Sequence, residues 1–138
     1  MGHPIHPLTV HFPVASWIIA VFADFAGLYA GVFAWKLAAT MLAIGCLVAL
    51  VSIATGLMEF SKIPDDGPVK TAWMHMGAML SAFLFANISL FLHFESMRVV
   101  PPSTWAYVFD GALFLAVGAG GWLGGHLVYG HGVGQRSS

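Results

Sequence analysis

Four apolar stretches of about 20 residues take up nearly the whole of this 138-residue chain: Leu8 to Ala30, Leu37 to Leu57, Thr71 to Leu92 and Trp105 to Val128. A helix of about 20 residues crosses the roughly 30 Å hydrocarbon core of a bilayer. Lipid offers the backbone no hydrogen-bond partners, so segments this long and apolar cross as helices. Only 8% of the residues are charged, against about 25% in soluble domains, and 59% are hydrophobic. The bilayer is therefore the expected solvent. Five Lys and Arg against six Asp and Glu leave no basic cluster, which excludes nucleic acid as a partner.

The punctuation between the stretches is short. Gly31 to Lys36 reads as a tight link, Lys62 to Lys70 (KIPDDGPVK) as a polar turn, and Glu95 to Thr104 (ESMRVVPPST) as the last connection. There Pro101 and Pro102 discourage continuation of the third helix, and Ser103 or Thr104 suits the cap of the fourth. Short connections favour antiparallel neighbours. The fold expected is all-α, an integral-membrane antiparallel four-helix bundle with both termini on the same side. It forms one domain over 1–138, with helices at about 8–30, 37–60, 71–93 and 104–129. The first stretch lacks a basic leader and a small-residue cleavage site, so it reads as a retained helix rather than a signal peptide.

That topology sorts the polar residues by membrane face. Six of the seven histidines fall on one side: His3, His6 and His11 at the start of the first helix, His75 in the third, and His126 and His131 at the end of the fourth. Glu59 closes the second helix on that side. By axial rise, about 1.5 Å per residue, His11, Glu59, His75 and His126 lie within one or two turns in depth. Ionisable groups inside a membrane are costly and face a bundle interior or cavity, so this layer is the candidate site. On the opposite side His93 stands apart and reads as structural. Asp24 and Asp110, also on that side, are expected to pair through a shared proton or with neighbouring Ser and Lys. The single Cys46 reads as a small buried hydrophobe.

Proline and glycine mark the two ends of the chain. In MGHPIHPLTVHFP, Pro7 suits a first helical turn, which would start the helix near His6 and leave Pro13 inside it as a kink. Alternatively the helix proper begins near Pro13 and His3 to Phe12 folds over the bundle end. Near the C-terminus, Gly111, Gly118 and Gly125 recur every seven residues, joined by Gly121. Such a stripe suits close packing of helices, within the chain or in a homodimer. It also suits a flat groove admitting a planar ring beside His126.

Imidazole is the commonest metal ligand and the usual axial ligand of haem. Haem b is the cofactor expected, held by His11, His75 and His126, two of them axial, with Gly118, Gly121 and Gly125 passing close to the ring. The aromatic residues Phe12, Trp17, Trp73 and Trp122 fit that environment. A metal ion is the alternative, with His6, His11, His75, His126, His131 and Glu59 as candidate ligands. Met74, Met76 and Met79 around His75 add a soft set suited to copper, and Glu59 with three histidines suits zinc or iron.

The opening HPIHPLTVHFPVA resembles that of an uncharacterised family of small prokaryotic four-helix membrane proteins, known only as a domain of unknown function. The segment GWLGGHLVYGHG resembles the family's late glycine-rich motif. The resemblance covers essentially the whole chain and falls on His3, Pro4, His6, Pro7, His11, Pro13, Gly125, His126, Gly130 and His131. Some relatives resemble membrane anchors joined to Rieske iron–sulfur domains, which implies membrane electron transfer. The function expected is thus a b-type, cytochrome-like electron-transfer protein in the bacterial inner membrane, more a carrier than a stand-alone enzyme. It would exchange electrons with a quinone or a separate redox partner protein, its histidines facing the periplasm. Lys62, Lys70 and Arg136 on the histidine side against Lys36 and Arg98 on the other give too small a bias to set orientation. The competing expectations are a metal-binding or metal-transport protein and a non-catalytic assembly subunit.

Overall fold

A computed structural model of the protein describes residues 5–64 and 66–133. It contains four long helices, α1 (Ile5–Ala30), α2 (Val32–Phe60), α3 (Val69–Leu92) and α4 (Thr104–Gly125), all long and apolar enough to cross a membrane. A π-helical turn, His126–Gly130, extends α4, and a small hairpin, β1 (Phe94–Glu95) and β2 (Arg98–Val99), joins α3 to α4. The chain is an all-α, up-and-down membrane bundle.

Two boundaries differ from expectation. The first link is a single residue, Gly31, with φ of 64°. Its N–H donates to the Gly27 carbonyl and its carbonyl accepts from Ala34 and Trp35 N–H, so one left-handed glycine ends α1 and starts α2. Trp35 folds back so closely that a Cβ on Gly27 would overlap its indole. The second difference lies at the start, where α1 begins at Ile5 and runs through a buried Pro13. The irregular-cap alternative for residues 5–12 is thereby corrected. His3 and Pro4 lie outside the described residues, as do Asp65 and residues 134–138, Arg136 among them.

Each hairpin is tightly built, α1 along α2 and α3 along α4, and the two hairpins meet along much shorter seams. They are also related in register. Buried Pro13, Trp17, Ala20 and Asp24 of α1 correspond, 69 residues on, to buried Ala82, Ala86, Ser89 and His93 of α3. Buried Ala38, Leu42, Gly45, Ala49 and Ser52 of α2 correspond, 68 residues on, to Ala106, Asp110, Leu113, Val117 and Gly120 of α4. The bundle is thus a helical hairpin used twice about an axis along the membrane normal. Where one copy is bulky the other can be small, as with buried Trp17 and Ala86. Trp17, Leu42, Leu113 and Val117 form that apolar middle with Ala20, Ala82 and Ala86. Cys46 is buried in it, close to the Trp17 indole. Large apolar side chains on the outside, such as Phe33, Leu115 and Phe91, are left for lipid.

Candidate functional site: two polar ends on one axis

Residues at equal register of α1 and α3 meet across the bundle axis at both ends. At the end carrying the termini these are His6 and His75, whose ring centres lie 6.4 Å apart with planes at 82°. The two rings are held by the same device. His6 Nδ1 lies 2.9 Å from the Ser52 carbonyl of α2, and its ring lies against Gly56, one helical turn further on. His75 Nδ1 lies 2.8 Å from the Gly120 carbonyl of α4, and its ring lies against Gly124, again one turn on. A Cβ at Gly56 or Gly124 would stand 3.0 Å from the imidazole Cε1 in each case, so glycine is what lets the ring reach the carbonyl. A carbonyl can only accept, so Nδ1 carries the proton in both rings and a neutral ring presents a bare lone pair at Nε2. Metal-ligating histidines are oriented in this way, with the second nitrogen donating to a carbonyl.

The neighbours of this pair have other tasks. Glu59 Oε1 accepts the His6 backbone N–H at 3.2 Å, satisfying a free donor at the start of α1 with a negative charge where the helix dipole favours one. Thr55 Oγ1 lies 3.4 Å from His6 Nδ1 and 3.3 Å from Thr9 Oγ1, tying α1 to α2. Met79 packs against Gly120, whereas Met74 is exposed, so the methionines do not surround His75 as a set.

The single layer expected from axial rise divides. His11, His126 and His131 are exposed, and the ring that faces His75 belongs to His6. His126 stacks on the exposed Trp122, centres 5.9 Å apart and planes 6° apart, and meets His131 edge-on at 4.9 Å. Among the described residues, no group of three or more His, Cys, Asp or Glu side chains stands close enough to hold a metal ion. The six-residue metal set of His6, His11, His75, His126, His131 and Glu59 is therefore not gathered at one point. Nor does the glycine stripe line the interior. Gly111, Gly118, Gly121 and Gly125 have nothing within 4 Å of where a Cβ would stand, while the glycines that admit close neighbours on α4 are Gly120 and Gly124. Of the aromatic residues expected around a ring, Trp17 is buried at mid-bundle, and Phe12, Trp73 and Trp122 are exposed.

At the opposite end Asp110 pairs with a serine, as expected, and His93 joins the same group. Asp24, Ser89, His93 and Asp110 are all completely buried, at 0% exposure. His93 Nε2 lies 2.8 Å from Asp24 Oδ1, and its Nδ1 lies 2.8 Å from the Ser89 carbonyl. Ser89 Oγ donates to Asp110 Oδ1 at 2.6 Å. His93, expected to stand apart, is thus the centre of a network joining α1, α3 and α4. The connections seal it: the chain turns at Gly31 on one side, and on the other Val100 N–H donates to the His93 carbonyl behind the β1–β2 hairpin.

No curated protein and no solved structure matches the chain. A match does come from a family described as "Predicted membrane protein (DUF2231)", and it spans residues 2–137, taking in all four helices and both polar ends. The chain belongs to the DUF2231 family of membrane proteins.

Proposed function

We propose that this protein is a b-type, cytochrome-like electron carrier of the bacterial inner membrane, with His6 and His75 as the axial ligands of one haem. The observation that carries the reading is the matched pair, one imidazole from each hairpin, each with Nδ1 committed to a carbonyl and Nε2 left over. His6 and His75 would hold such a group through the nitrogens their carbonyl contacts leave free. The 6.4 Å separation of His6 and His75 suits that arrangement. The short seams between the hairpins suit a flat group entering between them, with one histidine on each side.

Such a group supplies one-electron chemistry, and the protein supplies ligands, low dielectric and orientation. Ser52 and Gly120 fix the tautomer and the ring planes, Gly56 and Gly124 keep the rings close to their carbonyls, and Glu59 and Thr55 hold the start of α1 in place. Both rings are only half-buried, which leaves them within reach of a quinone in the bilayer or of a separate redox protein at a periplasmic surface.

The test is the absorption spectrum of detergent-purified protein, oxidised and then reduced with dithionite, with elemental analysis of the same sample. The expected result is a Soret band that shifts on reduction, lost in His6→Ala and His75→Ala and kept in His11→Ala and His126→Ala. A featureless visible spectrum after expression with ample haem overturns the reading. Copper, zinc or iron in that colourless sample would replace it with a bare metal ion on the same two nitrogens. No metal at all would leave an assembly subunit, for which the open stripe of Gly111, Gly118 and Gly125 on α4 offers a face to a second copy.

A further inference from the structure

The protons of the buried network at the far end can be counted. His93 Nδ1 faces the Ser89 carbonyl, an acceptor only, and therefore carries a hydrogen. Between His93 Nε2 and Asp24 Oδ1, 2.8 Å apart, one further proton must lie, whichever atom it is assigned to. His93 and Asp24 together are then neutral. Ser89 gives its only hydroxyl proton to Asp110 Oδ1. Two oxygens remain, Asp24 Oδ2 and Asp110 Oδ2, both fully buried and both without a hydrogen-bond partner. Both carboxyls belong to one buried chain of contacts, Asp24 through His93 and Asp110 through Ser89, which are themselves joined.

An ionised Asp110 would place one uncompensated negative charge in a dry interior that already holds the Asp24 carboxyl. Desolvation and like-charge repulsion both oppose that state. One further proton on this pair of carboxyls gives a free oxygen a hydrogen and brings the whole network to zero net charge. We propose that Asp24 and Asp110 form a proton-binding site, an acid–carboxylate pair sharing one exchangeable proton, with His93 and Ser89 as its positioning residues. The site lies at the opposite membrane face from His6 and His75, since eighteen residues of helix, about 27 Å, separate His75 from His93. It does not depend on what those two histidines bind.

The charged and titratable groups around the site are few. α1 contributes Asp24, α3 contributes His93, and α4 contributes Asp110 together with Tyr107, which lies close enough to feel both carboxyls. From α2 the side chain nearest Tyr107 is the Trp35 indole, and Lys36, Glu95 and Arg98 at this end are exposed. Ser89 opposes the proton, because its short hydrogen bond favours the ionised form of Asp110.

Infrared spectroscopy of the purified full-length protein in lipid nanodiscs tests this directly. Of the six acidic residues, only Asp24 and Asp110 are buried side chains among those described, so a protonated carboxyl near neutral pH identifies this pair. The expected result is one carboxylic-acid carbonyl band at neutral pH. It should move to lower frequency in D2O and with 13C-labelled aspartate, and fade as the pH is raised. The band should vanish in Asp110→Asn, and in Ser89→Ala it should persist to higher pH. Absence of any such band from wild-type protein at neutral pH overturns the proposal, and that measurement requires no variant to fold. A band that appears only after sodium and potassium are removed also overturns it, since a monovalent cation would then occupy the place of the proton.

Discussion

The two ends of this bundle are built from one plan and finished differently. Each brings a residue of α1 and its equal-register partner on α3 to the axis, His6 with His75 at one end and Asp24 with His93 at the other. The first pair is half-buried, and each ring has one nitrogen tied to the backbone of its own hairpin. The second is fully buried, bonded across the hairpins and closed over by Gly31 and the β1–β2 turn. The start of α1 and the end of α4 lie at the open end. An open pair with unspent nitrogens is suited to a ligand, and a closed pair with complementary charge is suited to holding two hairpins together.

That contrast is broken most directly by removing one partner at each end. His93→Leu strands Asp24 in the interior and should cost about 3–5 kcal/mol, the penalty for leaving one member of a buried ion pair alone. His75→Leu removes one backbone hydrogen bond at a half-buried site and should cost about 1 kcal/mol in ligand-free protein. Unfolding of both variants by graded SDS in mixed micelles gives the two numbers. Equal losses would mean that the ends do not differ in the way their burial indicates.

The glycines of α4 sharpen the comparison. Gly124→Ala places a methyl 3.0 Å from His75 Cε1 and should displace the ring, at a cost of about 1–3 kcal/mol from overpacking and with loss of whatever His75 binds. Gly56→Ala should do the same to His6. Gly121→Ala, with nothing within 4 Å, should instead gain up to about 1 kcal/mol from helix propensity. A melt and a ligand-binding spectrum of the three variants suffice. If Gly121→Ala harmed binding and Gly124→Ala did not, the ring would lie on the outside of α4 and not at the axis.

These residues also show what could be read in advance. The four spans follow from apolar length, and the cap at Ser103, whose Oγ accepts the Ala106 N–H at 3.2 Å, from residue type and the preceding prolines. Depth along each helix is equally legible, and it places His6 and His75 at one end of the bundle and His93 at the other. Azimuth around each helix decides the site. His6, Pro13, Trp17, Ala20 and Asp24 recur at spacings of seven, four, three and four, as do His75, Ala82, Ala86, Ser89 and His93. Those spacings keep one helical face, whereas His11, five residues after His6, turns about 140° away from it. Likewise Gly120 and Gly124 share the inward face with Leu113 and Val117, and the stripe of Gly111, Gly118 and Gly125 does not. The repeated hairpin would have joined His93 to Asp24, but its two copies share too few residue types for the repeat to stand out by identity. The π turn at His126–Gly130 carries no sequence signal of its own.

Smaller effects belong to the closure of the far end. Ser103→Ala removes the cap of α4 and should cost about 1 kcal/mol in the same SDS titration. The hairpin before it reverses through Ser96 and Met97, with φ of 48° and 63°, between the pairs Phe94 with Val99 and Glu95 with Arg98. A two-residue reversal with both central φ positive is the type I′ turn, for which Asn-Gly is the favoured sequence. Met97 bears the larger strain and is almost wholly exposed, so its side chain contributes little packing to offset it. Met97→Gly relieves about 1–2 kcal/mol of left-handed strain and returns part of it as unfolded-chain entropy, for a net gain of about 0.5–1 kcal/mol. Because Val100 is held to His93 just beyond the turn, the gain should appear as slower amide exchange at Val100, with no change at the His6 end. Equal slowing at both ends would make the bundle a single cooperative unit, and the hairpin would then no longer distinguish the closed end from the open one.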